Sequence, residues 1–263
     1  MLFSEALATL HAADGGWQAL IGEDWLQGRT LFGGLQAALA VRALRQCIPQ
    51  QWPLRVVQTT FIAPVPPGPV RIEGHVLRTG QSAIHAQARI VERGKTLCSV
   101  LAIFGQGRAS ALRLTPAQPD RGERADEKTE LPYGAGIAPP FTQHFVMRWT
   151  GGRPPFSGAT ANTTRIHVRH REAQVLDEAH AIALADTVPS PGLSMLTQPA
   201  MASSLTWMLE FVDHRFGFPH EAFWRMDTEV TAGGDGYLAQ SALLWNPDGV
   251  LCALSRQSVA VFG

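Results

Sequence analysis

One acidic residue lies within an otherwise apolar helical stretch and is the first candidate for chemistry. Asp186 stands in AIALADTVPS, where alanine, isoleucine and leucine precede it. Desolvation at such a position pushes the pKa of a carboxyl group upward, toward the range in which it exchanges protons near neutral pH. Alternatively, Asp186 faces solvent or caps the turn that follows, although a carboxylate at a helix C-terminus opposes the helix dipole. The residues alone leave both interpretations open.

Polar side chains that could orient a water molecule lie in two predicted strands. In LSRQSVAVF, strand alternation puts Gln257 on one face with Ser255 and Val259. A glutamine in a half-exposed strand most often points outward, so the pattern alone favours a surface position for Gln257. Ser204 and Thr206 lie two apart in SSLTWMLEF, which predicts that they share a face, either as site hydroxyls or as ordinary strand-forming residues.

Two glycines open the first predicted helix, which spans residues 33–46. Backbone N–H groups at a helix N-terminus are unpaired and carry positive partial charge, so those around Gly33 and Gly34 could polarise a carbonyl that becomes an oxyanion. The glycines could also serve close packing at a junction between loop and helix. The two interpretations are compatible.

Several other chemistries find no support in the sequence. The nine histidines form no HExxH motif and no Cys/His cluster, which argues against a zinc site. The chain contains no GxSxG nucleophile elbow, no GxxxxGK[ST] and no GxGxxG motif. We therefore expect no zinc site, and we expect none of these phosphate-binding or nucleophile motifs to carry the chemistry. A basic strand could meet a phosphate group or simply face solvent; it contains Arg165, His167, Arg169, His170 and Arg171.

An internal repeat predicts the elements that position these residues. Residues 80–105 are echoed by residues 234–263, and both copies carry an AQ step, then LC and a terminal FG. A repeat of this size implies two copies of one supersecondary unit. The site is then shared between the halves or confined to one of them.

Each half is predicted to hold one buried helix and an antiparallel sheet. The second helix spans residues 176–188, and a charged segment rich in Pro and Gly at 106–140 reads as a linker. The predicted units are therefore 1–105 and 141–263. Alternating patterns predict strands at 55–62, 69–80, 82–92, 95–105, 141–149, 165–172, 202–212, 223–234, 236–246 and 249–262. The fold class is α+β, with a sheet wrapped around its helix twice and the two copies joined edge to edge.

Bulk composition limits the partners. Lys plus Arg (22) equals Asp plus Glu (22), which argues against nucleic acid or an anionic membrane as the main partner. Three cysteines without CxxC spacing fit reduced thiols. The first residues do not resemble a signal peptide, and no apolar stretch is long enough for a membrane span. These features predict a cytoplasmic protein.

The motifs together resemble the acyl-CoA thioesterase II family, whose members are double hotdog proteins. The first half carries RTLFGGLQAALA and FIAPVPPGPVRIEGHVLRTGQS, and the second carries RIHVRHRE, AIALADTVPS, SSLTWMLEF and LSRQSVAVFG. They cover nearly the whole chain in the family's order. The resemblance implies two hotdog units side by side in one continuous sheet.

The resemblance also implies hydrolysis of a fatty or other acyl-CoA to free acid and CoA, without a metal or organic cofactor. It places Asp186 as general base, with Ser204 and Gln257 orienting the attacking water. Gly33 and Gly34 would polarise the thioester carbonyl, and the acyl chain would lie in a tunnel between helices and sheet. Thr206 stands where many members have an acid: they carry an Asp-His pair, and this chain reads Thr206-Trp207.

Two other functions fit the same fold. A non-hydrolytic acyl-CoA-binding protein would keep the fold and lack turnover. A hotdog enoyl-CoA hydratase is disfavoured because its DxNPxH pattern is missing from the chain. The resemblance further implies a homodimer or a higher homo-oligomer.

Overall fold

One continuous antiparallel sheet dominates the molecule. The computed structural model describes residues 1–112, 114, 116, 125, 128, 130, 132–172 and 175–262. Within these residues the main sheet has twelve strands, and its first half contains β1 (His11–Ala13), β2 (Gly16–Ile21), β5 (Leu54–Phe61), β6 (Gly68–Thr79), β7 (Ala83–Glu92) and β8 (Lys95–Gly105). Its second half contains β9 (Phe145–Gly151), β10 (Thr163–His170), β11 (Met201–Phe211), β12 (Trp224–Gly234), β13 (Tyr237–Trp245) and β14 (Leu251–Phe262).

The remaining elements are short except for one helix. A small hairpin pairs β3 (Leu26–Gln27) with β4 (Thr30–Leu31), and 3-10 turns span Glu23–Trp25 and Pro140–His144. The α-helices are α1 (Phe3–Ala8), α2 (Gly33–Leu44), α3 (Glu178–Leu184) and α4 (Pro191–Met195). None of the helices in the described part of the chain is long and apolar enough to cross a membrane.

The strand order confirms the double hotdog architecture. It runs β1-β2-β6-β7-β8-β5-β11-β14-β13-β12-β10-β9, so the two halves meet where β5 pairs with β11. Each half places consecutive strands β6-β7-β8 or β12-β13-β14 as a meander beside this central pair. The predicted edge-to-edge joining of two similar units is therefore confirmed. Part of the predicted linker 106–140 lies outside the described residues.

Helices α2 and α3 lie against each other in opposite directions. At one end, Arg42 contacts Asp177 at 2.7 Å and Arg45 contacts Glu178 at 2.5 Å. At the other end, a Cβ added to Gly34 would lie 3.1 Å from the Cα of Ala183. Every residue of α2 except Arg42 is buried. The small residues of both helices allow this close approach, and it brings the start of α2 to the end of α3.

The second helix is shorter than predicted. We expected it to span residues 176–188, but α3 ends at Leu184 and Asp186 lies in the turn beyond it. Pro189 and Pro191 cannot continue a helix, and Ser190 caps α4 by accepting a hydrogen bond from the Gly192 N–H. This turn aims Asp186 away from the helix axis and toward the sheet.

Candidate active site

Asp186 lies where the two halves of the molecule meet. It is half-buried, and its Oδ1 accepts a hydrogen bond of 2.6 Å from Nε2 of Gln257 on β14. A Cβ placed on Gly33 would lie 2.7 Å from Oδ2 of Asp186, so the carboxylate sits against the first turn of α2. The structure thus brings together four residues that the sequence singled out: Asp186, Gln257, Gly33 and Gly34.

The surroundings of Asp186 shift its proton affinity. Burial raises the pKa of Asp186 to about 7, although the hydrogen bond from Gln257 and the nearby Gly34 N–H both favour the charged form. A carboxylate whose pKa lies close to ambient pH is suited to accept a proton and release it again. The Gly34 N–H thus favours the charged form of Asp186, whereas the sequence analysis had assigned that amide to the substrate.

Gln257 faces the interior, contrary to the expectation from strand pattern alone. It is buried, and its Oε1 accepts a hydrogen bond of 2.7 Å from Nε2 of Gln240 on the neighbouring strand β13. The two glutamines are direct cross-strand partners. A buried amide must find partners, and Gln257 does so on both sides.

The sequence analysis missed Gln240 as a site residue, and the internal repeat does not identify it either. The AQ step places Gln240 in the same register as Gln87 of the first copy. In the structure the two steps are out of phase: Gln87 is half-buried while its neighbour Ala86 faces the core, whereas Gln240 itself is buried. A shift of one residue moves a side chain to the other face of a sheet.

Ser204 and Thr206 do not share a face, so this prediction was wrong. The β11–β14 register shifts between them, with Ser204 opposite the buried Val259 and Thr206 opposite the exposed Ser258. A bulge at Leu205 adds one residue and reverses the alternation. Ser204 consequently lies on the face of Gln257, while Thr206 is exposed on the outer face and away from Asp186.

The bulge also turns Trp207 inward. Trp207 is buried opposite Gln257, and its indole N–H donates a hydrogen bond of 2.8 Å to Oγ of Ser255. Trp207 therefore forms part of the wall next to the site.

The basic strand lies elsewhere. β10 is separated from β14 by β12 and β13. Arg165 contacts Asp227 at 2.9 Å, Arg171 pairs with Glu130, and His170 is buried on the opposite face. Arg165 and Arg171 thus already contact carboxylates, and Arg169 donates to the backbone carbonyl of His170 at 3.1 Å. The strand does not contribute to the Asp186 site.

Two cavities occupy the opposite end of the helix pair from Asp186. Their volumes are about 270 Å³ and 370 Å³, and both are lined by Arg42 and Asp177. The tunnel for an acyl chain between helices and sheet stays a prediction. No group of three His, Cys, Asp or Glu side chains within the described ranges could hold a metal ion.

Gly34→Ala is expected to destabilise the protein by about 1–3 kcal/mol, the usual range for overpacking a core. The new methyl group would lie 2.6 Å from the Phe32 ring and 3.1 Å from the backbone of Ala183. Phe32 cannot yield easily because it is fully buried and stacked on Phe141 at 4.1 Å. Urea denaturation measures the change. Gly234→Ala is the control, since its methyl group meets nothing within 4 Å; equal stability of the two variants would contradict the prediction.

Comparisons with known proteins agree with this architecture. The profile of the acyl-CoA thioesterase N-terminal domain matches residues 21–105, and that of the acyl-CoA thioesterase C-terminal domain matches residues 114–261. No curated protein sequence matches the chain.

Solved structures show the same fold at low sequence identity. A conserved protein of unknown function with a hot dog fold from Alicyclobacillus acidocaldarius is 23% identical, with a TM-score of 0.87 over 99% of this chain and 98% of that one. A protein of Thermobifida fusca YX assigned to thioesterase II is 16% identical, with a TM-score of 0.83 over 99% and 97%. An acyl-CoA thioesterase II from Mycobacterium marinum is 16% identical, with a TM-score of 0.75 over 98% of each chain.

Proposed function

Because the chain belongs to the acyl-CoA thioesterase family, we propose that it hydrolyses acyl-CoA thioesters to a free acid and CoA, with Asp186 as general base. The observation that carries this proposal is the 2.6 Å hydrogen bond between Gln257 and the Asp186 carboxylate, at the N-terminus of a buried helix. It orients a carboxylate with a pKa of about 7 beside backbone donors. Those are the groups that water attack on a carbonyl requires.

In the proposed reaction, Asp186 removes a proton from water while the water oxygen forms a bond to the thioester carbonyl carbon. The carbonyl electrons move to oxygen, and positive partial charge at the start of α2 stabilises the oxyanion. The Gly33 N–H is the donor we assign to this role, because the Gly34 N–H already favours the charged form of Asp186. The carbon–sulfur bond then breaks, and CoA leaves as a thiolate. Thiolates are stable enough near neutral pH that no strong general acid is needed.

Gln257 and Ser204 are the residues proposed to orient the water. A glutamine amide has two N–H donors. Gln257 uses one on Asp186, which leaves the second for the water oxygen. The bulge that places Ser204 on the inner face supports its part in this role. Thr206 has no role in this mechanism because it is exposed on the outer face.

A thiol-release screen tests the function. The purified protein is incubated with short, long, branched and aryl acyl-CoAs, and free thiol is measured with a chromogenic disulfide. Turnover of at least one class is expected, and it must be lost in Asp186→Asn. Binding of acyl-CoA without release of thiol would instead identify a non-hydrolytic acyl-CoA-binding protein.

We also propose that the protein is cytoplasmic and forms a homodimer or a higher homo-oligomer. Sedimentation measures the oligomeric state.

A further inference from the structure

A chain of two amides leads from the sheet to Asp186. Nε2 of Gln240 donates to Oε1 of Gln257 at 2.7 Å, and Nε2 of Gln257 donates to Asp186 at 2.6 Å. Both glutamines are less than one tenth exposed. We propose that Gln240 is a positioning residue that fixes the orientation of the Gln257 amide and, through it, the Asp186 carboxylate. The inference rests on the proposed role of Asp186 as general base.

The direction of this chain follows from the chemistry of its last member. An ionised carboxylate only accepts hydrogen bonds, so Gln257 must turn its NH₂ group toward Asp186. Its carbonyl oxygen then faces Gln240, which must present its own NH₂ group. Oε1 of Gln240 is left buried, and no hydrogen-bond partner for it occurs among the described residues. The pair thus leaves one acceptor unpaired in order to direct an N–H group at the carboxylate.

Gln257 needs such a neighbour because its amide can rotate. The terminal torsion of glutamine has two broad minima, and the second would turn the carbonyl oxygen toward the carboxylate. The cross-strand neighbour on the other side, Trp207, cannot select between them because its indole N–H donates to Ser255 at 2.8 Å. Gln240 is therefore the residue that favours the donating orientation.

The first half of the molecule shows that the fold itself does not require this pair. There the inward-facing cross-strand partners on β7 and β8 include Ala86 and Ala102, both fully buried. Gln87, the counterpart of Gln240 in the sequence repeat, is half-buried on the other face and lies 3.4 Å from the Ser99 hydroxyl. The buried glutamine pair is thus confined to the half that supplies Asp186.

Gln240→Met tests the proposal because it keeps the size of the side chain and removes the donor. We expect kcat to fall about three- to tenfold, in line with the loss of one hydrogen bond, while KM stays constant. Carbon-13 NMR of labelled aspartate follows the titration of Asp186 directly. Its pKa is expected to rise in Gln240→Met and to rise further in Gln257→Met. Gln87→Met makes the same change in the other copy and should alter neither kcat nor the titration.

Gln240→Glu gives a second, opposite perturbation. The carboxylate that it introduces accepts hydrogen bonds only, so it would attract the NH₂ group of Gln257 and turn the carbonyl toward Asp186. Asp186 should then titrate at the highest pH of the series. A titration and a kcat in Gln240→Met that equal those of the wild type, or a loss of stability alone, would overturn the proposal. If the wild type hydrolyses no acyl-CoA, the proposed function fails, yet the order of titrations still decides whether Gln240 positions Gln257.

Discussion

Asp186→Asn is expected to lower kcat for acyl-CoA hydrolysis by about 10²–10⁴-fold, the range that general bases contribute. Asparagine keeps the shape of the side chain but cannot take a proton from water. KM should change little, because the lost interaction acts in the transition state and not in the bound substrate. Thiol release over a range of substrate concentrations measures both constants. Activity within about tenfold of the wild type would show that Asp186 is not the base.

The same residue predicts the pH dependence of the wild type. Burial raises the pKa of Asp186 to about 7, so the fraction of ionised base falls as the pH is lowered through this value. We therefore expect kcat/KM to decline on the acid side of about pH 7. Asp235→Asn is a matched control, because Asp235 is exposed in a turn with φ of 52°, a conformation that asparagine accepts well. It should keep the full activity and the same pH profile.

A stability measurement separates loss of the base from misfolding. Because the folded-state pKa of Asp186 lies above that of an unfolded aspartate, its ionisation costs stability that grows as pH rises from about 4 toward 7. Asp186→Asn removes this cost, so the variant should be at least as stable as the wild type at pH 7. An inactive variant of normal stability thus points to chemistry, whereas an inactive and unstable one would leave the assignment unsupported.

Repetition and hydrophobic pattern were sufficient to predict the framework. The strands at 82–92 and 95–105 were predicted within one residue of β7 (Ala83–Glu92) and β8 (Lys95–Gly105), because alternation and glycine turns define them locally. The helix that starts at Gly33 was also predicted, since its alanine-rich composition is unambiguous. Elements without such local patterns, α1 (Phe3–Ala8) and β1 (His11–Ala13) among them, were not predicted.

The site depends on features that alternation cannot reveal. One extra residue at Leu205 breaks the alternation of side chains along β11. Ser204 and Thr206 therefore point to opposite faces of the sheet. Gln257 looked like a surface residue because its inward orientation is only favourable next to Asp186 and Gln240. Long-range pairing therefore decides which polar residues form the site, while local sequence decides where the strands lie.

At the start of α3, the end away from Asp186, a buried imidazole lies between two acids. Nδ1 of His180 lies 2.7 Å from Asp177, and Nε2 lies 3.4 Å from Glu172. The side chains of His180 and Glu172 are each only 4% exposed. Glu172 also accepts hydrogen bonds of 2.7 Å and 3.2 Å from the hydroxyl and backbone N–H of Ser4, which ties α1 to this cluster.

His180→Phe is expected to destabilise the protein by about 3–5 kcal/mol at pH 6, the usual cost of removing one partner of a buried ion pair. The ring fills a similar space but leaves Glu172 without the imidazole. Urea denaturation measures the change. His220→Phe is the control, because its contact with Glu221 at 3.2 Å is far more exposed and should matter little. Similar losses in both variants would contradict a special role for the buried pair.

The pKa shifts of His180 and Glu172 determine the pH range in which their contact stabilises the protein. Burial alone would lower the pKa of His180, but hydrogen bonds to Asp177 and Glu172 outweigh it and raise that pKa. Stabilisation by His180 is therefore complete below its unfolded pKa of about 6.5 and is lost as pH rises through the folded value. Burial alone would raise the pKa of Glu172, yet its hydrogen bonds to His180 and Ser4 lower it. Its contribution is present above about pH 4.3 and is lost as pH falls through the folded value.

These opposite limits give the cluster its largest effect between about pH 4.3 and 6.5, and the deficit of His180→Phe should peak there. Adding Glu172→Leu to His180→Phe should recover part of the lost stability, because the cluster then holds no buried carboxylate without its partner.

The loss of His180 should also affect Asp186, because α3 (Glu178–Leu184) has only seven residues and is held at its start by this cluster and by Arg45. A looser start of so short a helix lets its end move, so His180→Phe should also lower kcat at a pH where the protein remains folded.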